Sequence, residues 1–521
     1  MSSKIVTADD AVSHIKSGDT VAVGGFVGIG HPEEITIALE KHFLDKGSPE
    51  NLTIVYAAGQ GDGKEKGINH LAHEGLIKRV IGGHWGLAPK MGRLAIENKI
   101  EAYNFPQGVI THLYREIAGK KVGVITHVGL KTFVDPRVSG GKLNNRTQED
   151  MVRLIEIDGM EKLFYKSFPI NAAIIRGTTS DSLGNISMER EAGSLEFLAM
   201  AQAARNSGGI IIAQVEKISD EPRNPYLIKV PSIFVDYIVV AKTPNHWQTF
   251  ATQYNPAFSG EKIVPLSDIK DMELDERKLI SRRAFLEVNK SCVINLGIGM
   301  PEGVAVISNE ENALDMIKIT VEGGAIGGIP AGGLSFGASY NPDAIIDQPY
   351  QFDFYDGGGL DIAFLGMAQA DMHGNVNVSR FGSKLAGCGG FINISQNTKE
   401  IIFCGTFTSV GLKTEINNGS LKILSEGRLN KFVENVEQIT FSGEYALQTG
   451  QKVLYVTERA VFKLTDKGLE LIEIAPGIDL KKDVLDHMDF KPIISAGLKV
   501  MQKEIFQKEK MNISTPSTDR L

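Results

Sequence analysis

Glu322 is the residue whose type and setting best suit chemistry, because it stands between an apolar segment and a run of glycines. The apolar residues 317–321 predict a buried strand, and the glycines that follow would let backbone approach a ligand closely. The nearest basic residue, Lys318, would lie about 13 Å away along an extended strand. A carboxylate without a basic partner in such a place favours a nucleophile or acid–base group over a structural ion pair.

A glycine-rich loop near the N-terminus is a second candidate for ligand contact. It contains Gly24, Gly25, Phe26, Gly28 and Gly30. A strand is predicted before this loop, and a helix is predicted to begin at Pro32. The spacing invites a dinucleotide interpretation, but Glu33 replaces the third glycine and, with Glu34, would repel a phosphate. We therefore expect the bare N–H groups of the loop to bind an oxyanion or substrate.

A second small-residue loop lies in the C-terminal half of the chain. It contains Gly387, Cys388, Gly389, Gly390 and Phe391. Such a run lets a ligand lie flat against backbone, although tight packing between a strand and a helix explains it equally well. A small buried thiol is the favoured interpretation of Cys388 itself.

The elements that must position these residues repeat once along the chain. Residues 21–33 and 293–302 both follow the pattern strand, glycine loop, helix, and D-x-x-G-N recurs at 181–185 and 371–375, where it predicts tight turns. Short β-branched strands alternate with amphipathic segments, which predicts an α/β fold of two related open domains with mainly parallel sheets.

The domain boundaries follow from composition. We predict an N-terminal domain over residues 1–242, a linker over 243–276 and a C-terminal domain over 277–521 that carries the candidate glutamate. The polar residues from about 504 onward are expected to fray.

Composition excludes several functional classes. Of the 521 residues 23% are charged, with a formal net charge of −8, so nucleic-acid and anionic-membrane binding are not expected. No apolar stretch approaches a membrane span, and the N-terminus shows no export core, which predicts a cytoplasmic protein. The three cysteines, Cys292, Cys388 and Cys404, are too few and too scattered for a disulfide frame or a zinc site, and no metal site is expected.

A lone carboxylate with oxyanion-type loops, and without a Ser-His-Asp order, predicts covalent carboxylate catalysis. A glutamate that attacks an activated acyl group forms a mixed anhydride, which keeps the acyl group activated. A serine nucleophile would lose that activation as an ester. The anhydride needs surroundings that exclude water.

The chain resembles the family I coenzyme A transferases along nearly its whole length. Gly24-Gly25-Phe26 with Gly30 and Pro32 is similar to their G-G-F-x-x-x-G-x-P signature, although Ser17 departs from the acidic or amide residue usual upstream. The other matching segments are 322–328, which resembles the catalytic-glutamate motif, 387–391, which resembles the G-x-G-G coenzyme A loop, and 455–462 and 473–479.

Residues beside Glu322 indicate the branch of the family. Val321 and Gly323 replace polar residues of the succinyl-CoA:3-oxoacid transferases, and this resembles the acetate/propionate (short-chain acyl) enzymes, as do segments 83–85, 102–104 and 336–341. The resemblance implies α and β halves fused in one chain, a homo-oligomer (tetramer or dimer), and acyl-CoA and short-chain carboxylates as substrates. Coenzyme A would be a substrate, with no tightly bound cofactor.

The resemblance also implies roles for individual residues. Glu322 would form acyl-glutamyl anhydride and glutamyl-CoA thioester intermediates in a ping-pong cycle. Gln107 would lie near the reacting carboxylate, and Gly389 and Gly390 would offer N–H groups to the oxyanion and the thioester. Two alternatives stay open: an acyl-CoA hydrolase, in which water takes the anhydride, and a non-catalytic protein of the same fold that senses coenzyme A or another ligand.

Overall fold

The computed structural model describes residues 4–221, 224–265, 271–289 and 291–512. These residues form two compact units. Unit 1 takes its residues from the ranges 1–263, 321–353 and 380–393, and unit 2 from the ranges 264–320, 354–379 and 394–521. Glu322 and the loop 387–391 therefore belong to unit 1. The predicted domain boundaries stay a prediction, and residues 266–270 of the predicted linker lie outside the described residues.

Unit 1 is built on a nine-stranded sheet whose central strands are parallel. Seven of its strands follow one another across the sheet as Ile228–Val230, Ile186–Ser187, Ala172–Asp181, Thr20–Val23, Leu52–Tyr56, Ile77–Gly82 and Glu101–Asn104. The strand Ile210–Ser219 also pairs with Ala172–Asp181 and carries Tyr237–Val240 on its other side. The prediction of a mainly parallel sheet is confirmed here.

Helices and short strand pairs surround this sheet. The α-helices that lie wholly in unit 1 are Ala8–Val12, Glu33–Lys46, Pro89–Ile96, Gln107–Ala118 and Phe197–Asn206. A three-stranded antiparallel sheet is formed by Gly123–Thr126, Met160–Lys166 and Val152–Ile157. Antiparallel pairs join Ala325–Ile326 to Ala344–Ile345, Ile329–Pro330 to Ser339–Tyr340, and Arg380–Phe381 to Lys384–Leu385.

Unit 2 has a second open sheet with five parallel strands at its start. Its strands follow in the order Ile317–Thr320, Cys292–Leu296, Ile362–Gly366, Glu400–Cys404, Lys452–Val456, Ala460–Thr465, Gly468–Ile474 and Ile493–Val500. The α-helices wholly within unit 2 are Glu276–Phe285, Gly303–Glu310 and Gly443–Thr449. The helices Gln348–Asp356 and Phe391–Asn397 contain points at which the chain passes from unit 1 to unit 2.

Both predicted repeats are confirmed as local structure. The strand Thr20–Val23 leads to the helix Glu33–Lys46, and Cys292–Leu296 leads to Gly303–Glu310. In the turns, the side chain of Asp181 accepts from Asn185 N at 2.8 Å, as predicted for an Asx-type turn. Asp371 accepts from Asn375 N in the same way at 3.0 Å.

The C-terminal segment differs from the expectation of fraying. The fully buried guanidinium of Arg282 donates to four backbone carbonyls of this segment, those of Glu504, Ile505, Gln507 and Glu509. The segment is polar in composition, but its backbone carbonyls accept the hydrogen bonds that a buried cation requires. Residues 513–521 lie outside the described residues.

The glycines of the first loop predict a stability difference that depends on packing. A Cβ at Gly24 would overlap the ring of Phe197, whereas a Cβ at Gly92, within the helix Pro89–Ile96, would meet nothing within 4 Å. We expect Gly24→Ala to lower the free energy of unfolding by about 1–3 kcal/mol. Gly92→Ala should raise it by up to about 1 kcal/mol. Urea unfolding measures both, and equal effects would contradict the packing role of Gly24.

Candidate active site

The backbone around Glu322 forms a tight turn immediately after the strand Ile317–Thr320. Val321 N donates to Ala325 O at 3.0 Å, and Gly324 N donates to Val321 O at 2.9 Å. Gly324 has a φ of +106°, and a Cβ there would overlap the carbonyl oxygen of Ile346. This glycine is therefore required by the turn itself, which fixes the direction of the Glu322 side chain.

The Glu322 carboxyl is buried and has no counter-ion among the residues that the structure describes. The residue is 8% exposed, and Oε2 makes no hydrogen bond within the described ranges. Burial raises the pKa of Glu322 to about 7, and only the residue's own backbone N–H opposes that shift. A substantial fraction of the group is therefore ionised at neutral pH, as a nucleophile requires.

Gly390 lies directly against this carboxyl. A Cβ at Gly390 would lie 3.2 Å from Glu322 Cγ, 3.4 Å from Glu322 Oε1 and 3.2 Å from Phe352 Cζ. The N–H of Gly390 makes no hydrogen bond with any described residue. The structure thus brings together the predicted nucleophile and one predicted oxyanion donor, although they are 68 positions apart in the sequence.

The loop 387–391 is held by segment 83–86, which runs antiparallel to it. Gly389 N donates to Gly83 O at 2.7 Å, and Trp85 N and Gly86 N donate to Ala386 O at 2.7 and 2.9 Å. The predicted N–H donor of Gly389 is therefore already used by backbone pairing. Gly390 is left as the better oxyanion candidate.

Asn104 fixes the same loop from another strand end. Its Oδ1 accepts from Cys388 N at 2.9 Å, while its Nδ2 donates to Gly82 O at 2.8 Å. Cys388 is buried, and burial raises the pKa of its thiol far above the usual range, so it is no nucleophile. Phe391 begins the helix Phe391–Asn397 and donates to Cys388 O.

Gln107 is the first residue of the helix Gln107–Ala118 and reaches the same loop. Gln107 N donates to Gly389 O at 2.9 Å, and Gly108 N donates to Asn393 Oδ1 at 3.1 Å. These bonds satisfy two N–H groups that a helix start leaves unpaired. Gln107 is 3% exposed, its Nε2 has no partner in the described part of the chain, and its Oε1 would lie 3.7 Å from a Cβ at Gly389.

The glycines of the first loop face protein side chains. A Cβ at Gly24 would overlap Phe197, and one at Gly30 would lie 2.8 Å from the same ring. A Cβ at Gly25 would lie 2.8 Å from Gln60 Oε1, and the face of Gly28 is covered by Phe250. Packing therefore accounts for all four glycines, and their role as oxyanion or substrate contacts stays a prediction.

The same loop approaches the site through its apolar side chains. Phe26 and Ile29 exchange two backbone hydrogen bonds of 2.8 Å. Both side chains lie against Gly337, where a Cβ would lie 2.5 Å from Phe26 and 3.0 Å from Ile29. The carbonyl oxygen of Gly337 in turn lies 3.3 Å from the Cβ position of Gly323. Phe26 therefore contributes an apolar wall close to the turn that carries Glu322.

Glu196 is a second buried carboxyl that the sequence did not single out. Burial raises its pKa to about 8, with a contribution from Asp347, and neither oxygen has a hydrogen-bond partner among the described residues. It is only 1% exposed, against 8% for Glu322. A nucleophile must be reached by substrate, so Glu322 is the better candidate.

Sequence reasoning missed the residues that hold the site together. They are His84, Asn104, Phe352 and Asn393. His84 and Asn104 lie in segments that resemble one branch of the family, and this was their only signal. Phe352 and Asn393 carried none, because their contacts join distant parts of the chain.

Comparison with known proteins identifies the family to which the chain belongs. The family model for coenzyme A transferases matches residues 5–241. Caffeate CoA-transferase of Acetobacterium woodii is 48% identical over 97% of this chain and 98% of that protein. Acetate CoA-transferase YdiF of Escherichia coli (strain K12) is 44% identical over 98% of this chain and 97% of that protein. The chain belongs to the coenzyme A transferase family.

A solved structure supports the same assignment for the fold. The thioester complex of YdiF from E. coli O157:H7 with CoA matches with a TM-score of 0.93 at 44% identity, covering 99% of this chain and 98% of that one. The expected fold, two related coenzyme A transferase halves in one chain, is confirmed. Membership makes the protein a transferase enzyme, so the non-catalytic alternative is not retained.

The described residues contain neither a candidate membrane-spanning helix nor a candidate metal site. No helix in this part of the chain combines the length and apolar composition needed to cross a membrane. Within the same ranges, no group of three or more His, Cys, Asp or Glu side chains could hold a metal ion.

The raised pKa of Glu322 predicts a pH-dependent stability difference. The ordinary pKa of this carboxyl is 4.5. Between pH 4.5 and pH 7 it therefore keeps a proton in the folded chain that it releases in the unfolded chain. The contribution of this group to the free energy of unfolding is thus fully present below pH 4.5 and decreases as the pH rises to 7. Glu322→Gln removes the effect and should be more stable than wild type by about 3 kcal/mol at pH 8.5, and by much less at pH 5.

Urea unfolding at pH 5 and pH 8.5 measures this difference. Glu97→Gln, at an exposed position, is the matched control and should show no such pH dependence. A Glu322→Gln variant that gains nothing between the two pH values would show that the carboxyl is not desolvated in the folded protein.

Proposed function

We propose that the protein is an acyl-CoA:carboxylate coenzyme A transferase that uses short-chain acids of acetate or propionate size, with Glu322 as its nucleophile. One observation supports this most: the buried carboxyl of Glu322 has no counter-ion among the described residues and lies against Gly390, whose N–H is unpaired. Such a pair suits attack on a thioester carbonyl and stabilisation of the oxyanion that forms.

The proposed cycle has four covalent steps. The Glu322 carboxylate attacks the acyl-CoA carbonyl, and the coenzyme A thiolate leaves to give an acyl-glutamyl anhydride. The thiolate then attacks the glutamyl carbonyl, which releases the donor acid as a carboxylate and leaves a glutamyl-CoA thioester. An acceptor carboxylate reverses both steps. The unpaired Nε2 of Gln107 would donate to the reacting carboxylate, and Gly387 to Phe391 would line the coenzyme A arm.

The relatives support a thioester intermediate but do not identify the acid substrate. The YdiF structure is described as a thioester complex with CoA. The two full-length relatives are named for acids of different size, caffeate and acetate. The proposal of small acids rests on Val321 and Gly323 beside the nucleophile, and an acceptor panel that includes caffeate would test it. One or two methylene groups change selectivity by only about 1–3 kcal/mol.

Cellular context is also a proposal. We infer a cytoplasmic homo-oligomer, a dimer or tetramer, from the family resemblance, and size-exclusion chromatography with light scattering would measure the assembly.

Trapping the covalent intermediate tests the nucleophile. Incubation with acyl-CoA followed by borohydride should reduce a glutamyl-CoA thioester at Glu322, which peptide mass spectrometry would locate. Glu322→Gln should lose at least about 10³-fold in turnover, because the covalent route is removed. Glu196→Gln is the matched control, since that buried carboxyl is mostly protonated at neutral pH and should tolerate the change. Active enzyme with unmodified Glu322 would overturn the assignment.

The pH dependence of the first half-reaction follows from the same group. Because the carboxylate is the attacking form and its pKa is about 7, kcat/KM for acyl-CoA should rise with pH and level off above pH 7 to 8. A profile that is flat from pH 5 to 8 would contradict a desolvated nucleophile. Release of free coenzyme A without an acceptor acid would instead favour the hydrolase alternative.

A further inference from the structure

His84 occupies a fixed position beside the loop 387–391. A Cβ at Gly83 would overlap Ala57 O, and Trp85 is fully buried with its indole N–H donating to Gly82 O at 3.3 Å. His84 itself forms an antiparallel bridge with Gly387. Both sequence neighbours are thus anchored, and the backbone cannot turn the imidazole away from the loop.

Three glycines form a slot for the imidazole ring. A Cβ at Gly59 would lie 2.5 Å from His84 Nδ1, and one at Gly86 would lie 3.1 Å from Cε1. A Cβ at Gly389 would lie 3.7 Å from His84 Cβ and 3.8 Å from Cδ2. The ring therefore packs against bare backbone on three sides, one of which is the predicted coenzyme A loop.

The two ring nitrogens are in different situations. Nδ1 is buried and has no hydrogen-bond partner in the part of the chain that the structure describes. Nε2 also has no partner among the described residues, but it is not fully buried. Burial, aided by Lys384, lowers the pKa of His84 to about 4, so the ring is neutral at physiological pH. A neutral imidazole has one N–H, and placing it on Nδ1 would bury an unsatisfied donor. The accessible Nε2 therefore carries the proton.

The position of this donor indicates which part of a substrate it meets. His84 lies against Gly389, on the face that also lies near Gln107 Oε1, whereas Glu322 lies against Gly390. The imidazole thus contacts the loop at Gly389, one residue before the glycine that lies against the nucleophile, and this loop is the one expected to bind coenzyme A.

We propose that His84 is a binding residue for the coenzyme A half of the substrate, with Nε2–H donating to an amide carbonyl of the pantetheine arm along Gly387 to Gly390. The inference rests on the proposed function, because it takes this loop as the coenzyme A site. It adds a side-chain donor to a loop that otherwise offers backbone.

Replacing His84 by Asn or by Gln distinguishes the contributions of the two ring nitrogens. The amide nitrogen of Gln falls near Nε2 of a histidine, and that of Asn falls near Nδ1. We expect His84→Asn to weaken coenzyme A binding roughly 10-fold, the value of one lost hydrogen bond, while His84→Gln stays within about 3-fold of wild type. Isothermal titration with coenzyme A alone measures this without any turnover.

Steady-state kinetics gives an independent readout. In a ping-pong cycle kcat/KM for each substrate reports its own half-reaction, so His84→Asn should lower kcat/KM for acyl-CoA roughly 10-fold and leave that for the acceptor acid unchanged. Equal losses in the Asn and Gln variants together with lower melting temperatures would mean a purely structural role and overturn the proposal. Unchanged coenzyme A affinity in a folded His84→Asn would overturn it too. Wild-type protein that binds coenzyme A but transfers no acyl group would instead refute the proposed function.

Discussion

The burial of the Glu322 carboxyl without a counter-ion is the constraint on which the candidate site depends. Desolvation disfavours its charged form, as the pKa of about 7 shows, and no charged neighbour among the described residues offsets this. The surrounding fold must therefore supply rigidity in place of a salt bridge. The turn closed by Gly324 fixes one side of the residue, and Gly390 with Phe352 encloses the other. A cation here would stabilise the carboxylate and reduce its tendency to attack.

Long-range backbone pairing maintains this enclosure. Segments 83–86 and 386–389 are about 300 residues apart in sequence, yet their hydrogen bonds place Gly390 beside Glu322. The first residue of the helix Gln107–Ala118 adds a further hydrogen bond to Gly389 O. The loop therefore pairs both with the extended segment 83–86 and with the N-terminus of a helix. Because these contacts use the N–H of Gly389, Gly390 is the residue of the two whose N–H has no partner in the described part of the chain, and it is the one left for the proposed oxyanion contact.

Local patterns in the sequence predicted the fold better than they predicted the site. Parallel sheets, both strand–loop–helix repeats and the D-x-x-G-N turns follow from periodicity and turn chemistry within a few residues. The role of an individual glycine does not follow from such local patterns, because the group that occupies the space of its missing Cβ comes from a distant segment. Gly24 and Gly30 look like ligand contacts but accommodate Phe197, whereas Gly390 meets Glu322. Gln107 could be found only through family resemblance.

The uncompensated burial of Glu322 also has a consequence for the proposed intermediates. Both the acyl-glutamyl anhydride and the glutamyl-CoA thioester replace the buried carboxylate by a neutral group. The desolvation that raises the pKa of Glu322 to about 7 is thus relieved by acylation as well as by protonation. Each unit of that shift corresponds to about 1.4 kcal/mol, so a few kcal/mol of the folded protein's electrostatic cost would favour the covalent state. The missing counter-ion lowers the stability of the free enzyme, and in the proposed cycle it would favour transfer of the negative charge from Glu322 to the departing thiolate.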